Sequence, residues 1–165
     1  MTSPLVHAWR VSNDLNHLFL EGIPEEWLAD QYSERTRTVA SQFAHIHNVR
    51  VSHLERRGSQ FAGGLEGFPR GAQPTRDELL AALDASEDAM AELLDWIDGG
   101  GGKLSSWNGP PASFLGYLVS HEAHHRGLAI VSMRASGHRV PKEVSYGIWS
   151  GWGKKREPSE LRRKA

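Results

Sequence analysis

The sequence predicts an all-α protein, a four-helix bundle, and three observations predict it. Four amphipathic segments of similar length recur along the 165 residues, with apolar positions three and four apart. Each segment stops at a glycine- or proline-rich break. No stretch keeps the apolar–polar alternation of a strand, and no internal repeat interrupts the pattern.

The first helix opens at Ser3-Pro4, a serine N-cap with proline at the first helical position. It carries Leu5, Trp9, Leu15, Leu18 and Phe19 and stops near Gly22-Ile23-Pro24, with a short helical turn from Glu25 to Asp30 after it. The second runs from about Thr38 to Arg57, with Val39, Phe43, Ile46 and Val49 on one stripe, and Gly58 ends it. From Ser59 to Pro74 the glycines and prolines describe a long loop, a length that in compact domains often serves function. The third helix starts at a capping box, Thr75 with Glu78 three residues on, and buries Leu79, Leu83, Met90, Leu93, Leu94 and Ile97. Gly99 to Gly102 break it. The fourth begins at Pro110-Pro111 and passes through Phe114, Leu115, Leu118, Ile130 and Met133 to Gly137. Beyond lie Val140-Pro141, the aromatic group Tyr146, Trp149 and Trp152, and a basic tail from about residue 153 that reads as a solvated end. Residues 1–165 thus form one domain. The two longest loops, after the second and third helices, leave room for a crossover.

Composition narrows the function. Hydrophobic residues at 39% and charged residues at 24% exclude wholesale disorder. Lys plus Arg number 19 against 20 for Asp plus Glu, a balance that excludes a dedicated duplex-DNA binder, so no nucleic-acid partner is expected. The absence of cysteine removes disulfides, thiolate zinc sites and cysteine nucleophiles together, and fits a cytoplasmic location. Arg10, Asp14 and His17 interrupt the N-terminal segment, which therefore lacks a signal-peptide pattern. No apolar run approaches the roughly 20 residues of a membrane span, so no membrane partner is expected either. Nine histidines direct attention to imidazole chemistry.

The densest signal is His121-Glu122-Ala123-His124-His125 in the fourth helix. His121 and His125 are four apart, on one face and about 6 Å from each other. One divalent ion can bridge them, since imidazole nitrogen binds zinc at about 2.0–2.1 Å. The same residues match His-Glu-x-x-His, with Glu122 as the base of a zinc metalloprotease. That remote reading lacks support around it. Leu128 and Val131 stand where one protease class needs Gly and His, and Glu143, the only near carboxylate ligand for another, follows Pro141-Lys142 in an apparent loop. A third ligand should come from a facing helix, and the second helix offers His45 and His47. Two residues apart on a helix, they point to different sides, and periodicity does not choose between them. His7, His17, His53 and His138 have no ligand spacing and read as structural; His124 lies about 100° off the ligand face.

These residues carry a resemblance. Thr38-Val39-Ala40-Ser41-Gln42-Phe43-Ala44-His45-Ile46 resembles the histidine helix of the DinB/YfiT-like superfamily. His121 to Gly127, followed by Arg134, Gly137, Val140-Pro141 and Trp149, resembles its C-terminal signature; Leu128 departs from the glutamine usual there. The resemblance implies a bundle of up-down-down-up order, often a homodimer, with a three-histidine site for one divalent metal. Its register selects His45, followed by apolar Ile46, as the partner of His121 and His125. Relatives of this kind include transferases and isomerases that use bacillithiol, mycothiol or glutathione. The expectation is a metal-dependent enzyme that activates a low-molecular-weight thiol or water for transfer or hydrolysis on a small molecule. Three imidazoles suit zinc or nickel, and also accept iron or manganese. Arg126 could guide an anionic cosubstrate, and Trp149 with Trp152 could shape the pocket; the plainer readings are an exposed helical arginine and tryptophans that fill the core or plug the bundle end. The alternative from another class is a non-catalytic bundle, or its dimer, stabilised by the metal.

Overall fold

Three of the helices begin where a side chain accepts an otherwise unpaired first-turn N–H. In the computed structural model, which describes residues 3–153, Ser3 caps α1 (Pro4–Glu21) and Thr38 caps α2 (Val39–Arg57). Thr75 and Glu78 form the reciprocal capping box of α3 (Arg76–Asp98). Prolines set the starts of α4 (Pro111–Ala135) and α5 (Lys142–Ser150). Short 3-10 turns cover Glu25–Ala29 and Ser59–Phe61. Among the described residues there is no strand, only an isolated bridge between Gln31 and Thr38. None of the described helices is long and apolar enough to cross a membrane.

Side-chain pairings give the helix directions. Ser3 meets Asp98, Trp9 meets Glu87 and His17 meets Asp84, so α1 and α3 are antiparallel. Thr38 meets Gln73, His47 meets Ser86 and Gly58 approaches Leu93, so α2 and α3 are parallel. Gln42 meets His125, Arg50 meets Glu122 and His53 meets Phe114, which makes α2 and α4 antiparallel. Ser12 with Glu122 and Asn16 with Arg126 make α1 and α4 parallel. The order is up-down-down-up, and the long loop between α2 and α3 is the crossover that a parallel pair requires.

The core has two apolar halves. One gathers Phe19, Leu20, Val39, Phe43, Ile46, Leu79, Leu83, Ala129 and Met133. The other gathers Val6, Trp9, Leu54, Met90, Leu93, Leu94, Phe114 and Leu118. Between them lies a buried polar layer. Arg50 Nε donates to Glu122 Oε1 at 2.7 Å, and Asn16 Nδ2 and Ser12 Oγ donate to Glu122 Oε2 at 2.9 and 3.3 Å. Arg50 Nη1 reaches Asn13 Oδ1 and the Leu83 carbonyl, both at 2.9 Å, while its guanidinium carbon lies 4.5 Å from the Trp9 ring centre. Arg126 Nη1 donates to Asn16 Oδ1 at 2.6 Å, and Asn13 Nδ2 donates to Glu87 Oε2 at 2.7 Å. Charges removed from water persist only when paired and hydrogen-bonded.

Several expectations need correction. A fifth helix, α5, packs on α1 where the sequence suggested only a loop with an aromatic cluster, and Glu143 lies in its first turn. Val144 is its buried anchor, and Gly147 lets the backbone approach: a Cβ there would lie 2.3 Å from Leu18 Cδ2. Trp149 and Trp152 are not core, at 77% and 42% exposed. Arg126 is buried, not an exposed helical arginine. The basic tail lies outside the described residues, apart from its first residue.

Removing one partner from the polar layer leaves the other charge buried and unpaired. Glu122→Ala and Arg50→Ala are each expected to cost about 3–5 kcal/mol in urea unfolding. A loss under about 1 kcal/mol in either variant would show that the layer is not desolvated as described.

Candidate metal centre

The histidine site lies on the flank where α2 and α4 face each other. The buried stripe of α2 points Phe43, His47, Arg50 and Leu54 inward, which leaves His45 on the edge toward α4. From α4, His121 and His125 project to meet it: the His45 ring centre is 5.3 Å from that of His121 and 4.6 Å from that of His125. One ring nitrogen from each of the three lies within 4.8 Å of the others, and such a group could hold a metal ion. Among the described residues this is the one set of three or more His, Cys, Asp or Glu side chains so placed.

The orientation of His125 is set by a residue that the spacing argument missed. Its Nδ1 lies 2.6 Å from Gln42 Oε1. An amide oxygen only accepts, so Nδ1 carries the proton and donates, and Nε2 bears the lone pair, within hydrogen-bond distance of His121. That Nε2 lies 3.1 Å from Nε2 of His121. Two nitrogens on adjacent corners of a tetrahedron around zinc would be about 3.3 Å apart. That pair matches the spacing, and the set of three is compatible with one divalent ion. The signal for Gln42 in the sequence is an amide side chain one turn before His45.

Electrostatics keep the imidazoles neutral. Burial, the positive charge of Arg37 and neighbouring His121 lower the His45 pKa from 6.5 to about 4. Burial, with His121 and His45 beside it, lowers His125 to about 3. Burial also lowers His121, against an opposing effect from Glu122. Neutral imidazole is the form that ligates.

The other candidates are committed elsewhere. His47 is buried, with Nδ1 3.1 Å from Ser86 Oγ and Nε2 3.0 Å from the Glu66 carbonyl, so neither nitrogen is available to the cluster. His17 pairs with Asp84 at 2.7 Å, and His138 pairs with Asp30 at 2.6 Å while stacking on Trp27. His53 accepts from Arg57, and His7 and His124 are exposed. Glu122 is turned away from the histidines into the polar layer. Burial pushes its carboxyl up, but the Arg50 and Arg126 guanidiniums outweigh this and hold it below the usual range. Both of its oxygens are engaged there, by Arg50 on one side and by Asn16 and Ser12 on the other. Arg126 and Trp149 line a separate cavity of about 350 Å³ with Val119, Gly127 and Ile130. At 100° per residue those α4 positions face away from His121 and His125.

The sequence matches the DinB family over residues 1–154. The chain belongs to the DinB family. No curated protein matches it. Membership agrees with the all-helical fold, and the three-histidine cluster is compatible with a metal site in this DinB-family chain.

The lowered pKa values have a pH signature. Above about pH 6.5 the histidines are neutral in both the folded and unfolded chains, and the folded state keeps its full stability. As pH falls below 6.5 the unfolded histidines take up protons that folded His45 and His125 resist down to about 4 and 3, so stability is lost. Thermal unfolding of metal-free protein should show a midpoint that drops between pH 6.5 and 4.5. His125→Gln, which cannot titrate, should flatten that drop; an identical pH dependence in the two proteins would contradict the assignment.

Proposed function

We propose that this chain is a metal-dependent enzyme in which His45, His121 and His125 hold one divalent ion, with zinc or nickel the best match and iron or manganese the alternatives. The observation that carries the reading is the convergence of three neutral imidazoles, one of them oriented by Gln42. An ion with only neutral ligands keeps its full charge and, when bound, would lower the pKa of a water or thiol that shares the site. The protein has no cysteine, so a thiol would come from a low-molecular-weight cosubstrate. The reaction is a transfer or hydrolysis on a small molecule.

The chain's own residues hold and aim the ligands. Gln42 fixes the His125 tautomer. The Arg50–Glu122 pair fixes the level at which α2 and α4 meet. Because that polar layer already ties the helices together, a metal is not needed to hold the bundle, which favours catalysis over a purely structural ion. Near-neutral charge speaks against a nucleic-acid substrate. The protein is taken to work in the cytoplasm as a homodimer, for which exposed Tyr146, Trp149 and Trp152 offer an apolar surface.

Elemental analysis of the purified protein and its variants tests the ligand set. One equivalent of divalent metal is expected per chain, reduced at least tenfold in His45→Ala, His121→Ala and His125→Ala, with helicity by circular dichroism retained. His47→Ala should keep its metal and lose about 1–3 kcal/mol of stability, because Ser86 and the Glu66 carbonyl lose their partner. Metal retained without His45 and lost without His47 would overturn the assignment.

A further inference from the structure

Beside the histidines the fold leaves a cavity of about 820 Å³, a volume typical of small-molecule sites. It lies between the start of α2, the second half of α4 and the loops that carry residues 31–38 and 70–73. Gln42 lines it and also bonds His125, so the cavity adjoins the candidate metal centre.

The lining has a one-sided charge. Arg35, Arg37 and Arg70 contribute to it, and no Asp or Glu does. Among the described residues none of the three arginines makes an ion pair or a side-chain hydrogen bond, in contrast to Arg50, Arg76 and Arg126. Three guanidiniums that share one cavity without a counter-charge repel one another, and an anion placed among them relieves that repulsion. Guanidinium also offers the forked donor geometry that carboxylate and phosphate oxygens accept. The positive end of α2 points to the same side. The opposite wall is apolar and open: Leu128 and Val131 of α4 are 36% and 45% exposed there. Arg37 is close enough to the histidines for its charge to act on all three.

We propose that this cavity binds a small organic anion, its carboxylate or phosphate group held by Arg35, Arg37 and Arg70 and its apolar body laid on Leu128 and Val131. Bound this way, the molecule extends from the arginines toward Gln42 and the histidines. The anionic group anchors it at a distance from the reacting end. The inference rests on the metal-enzyme reading for its functional meaning, but the binding itself does not require the metal. The anion-binding role considered for Arg126 thus falls to three arginines of the loops.

The test is an NMR titration of the full chain, metal-free and zinc-loaded, with succinate and with neutral 1,4-butanediol, and of the metal-free chain with inorganic phosphate. Saturable shifts at residues 31–42 and 128–132 are expected with succinate or phosphate, and none with butanediol. Whichever anion binds more tightly identifies the headgroup. Arg37→Gln and Arg70→Gln should each weaken binding about fivefold, a charge-assisted contact discounted for exposure, and added salt should weaken it further. Arg139→Gln, an exposed arginine outside the cavity, should leave it unchanged. No saturable shift at those residues, equal shifts with butanediol, or equal weakening in Arg139→Gln would overturn the proposal. Metal content separates the two readings: the arginine variants should keep their metal, and metal-free His45→Ala should still bind the anion.

Discussion

Glu122 and Arg50 form an ion pair in the middle of the bundle, with both side chains about 1% exposed, and the rest of the structure depends on it. Taking two charges out of water costs several kcal/mol each, which their attraction offsets only in good geometry with the remaining valences satisfied. Here Ser12, Asn13 and Asn16 of α1 and the Leu83 carbonyl of α3 supply most of that satisfaction, with Arg50 Nη2 alone of the pair's polar atoms left without a hydrogen-bond partner among the described residues, so all four long helices converge on one pair. Apolar side chains tolerate sliding of one helix past another; this layer does not. A slip of one turn, about 5.4 Å, would leave Arg50 facing Leu118 or Arg126 in place of Glu122.

That constraint is also what builds the histidine site. Glu122 sits between His121 and His125 in the chain, and Arg50 sits one and a half turns beyond His45. A register that joins the buried charges inside the bundle therefore brings the three imidazoles together on its flank. The two faces of α4 divide the work: one carries Glu122 and Arg126 to the interior, the other carries His121, His125 and Leu128 toward the cavity. Gln42 does for His125 what Asn16 does for Glu122, giving a buried polar atom a defined partner and thereby a defined direction.

Apolar spacing made the four long helices legible, because each buries a stripe over five or more turns, and the caps at Ser3, Thr38 and Thr75 marked their starts. The nine-residue α5 escaped notice because two and a half turns with one buried side chain carry too little periodicity. His121 and His125 were legible as an i, i+4 pair. The choice of His45 over His47 needed the motif register, since a stripe defined by apolar residues cannot reveal that the interior at Arg50 and Ser86 is polar and claims His47. The same blindness made Arg126 read as exposed. Trp149 and Trp152 differ in the opposite sense, for size and hydrophobicity suggest burial and both are exposed, on α5 and just after it. The cavity arginines come from two loops distant in sequence, and only the crossover topology joins them.

X-ray absorption spectroscopy at the metal edge, on full-length protein loaded with one equivalent of zinc, tests the central claim most directly. The account predicts a first shell of three imidazole nitrogens at about 2.0–2.1 Å, completed by one or two light atoms from solvent. Zinc bound by fewer than three imidazoles, or with a protein carboxylate in its shell, would contradict it.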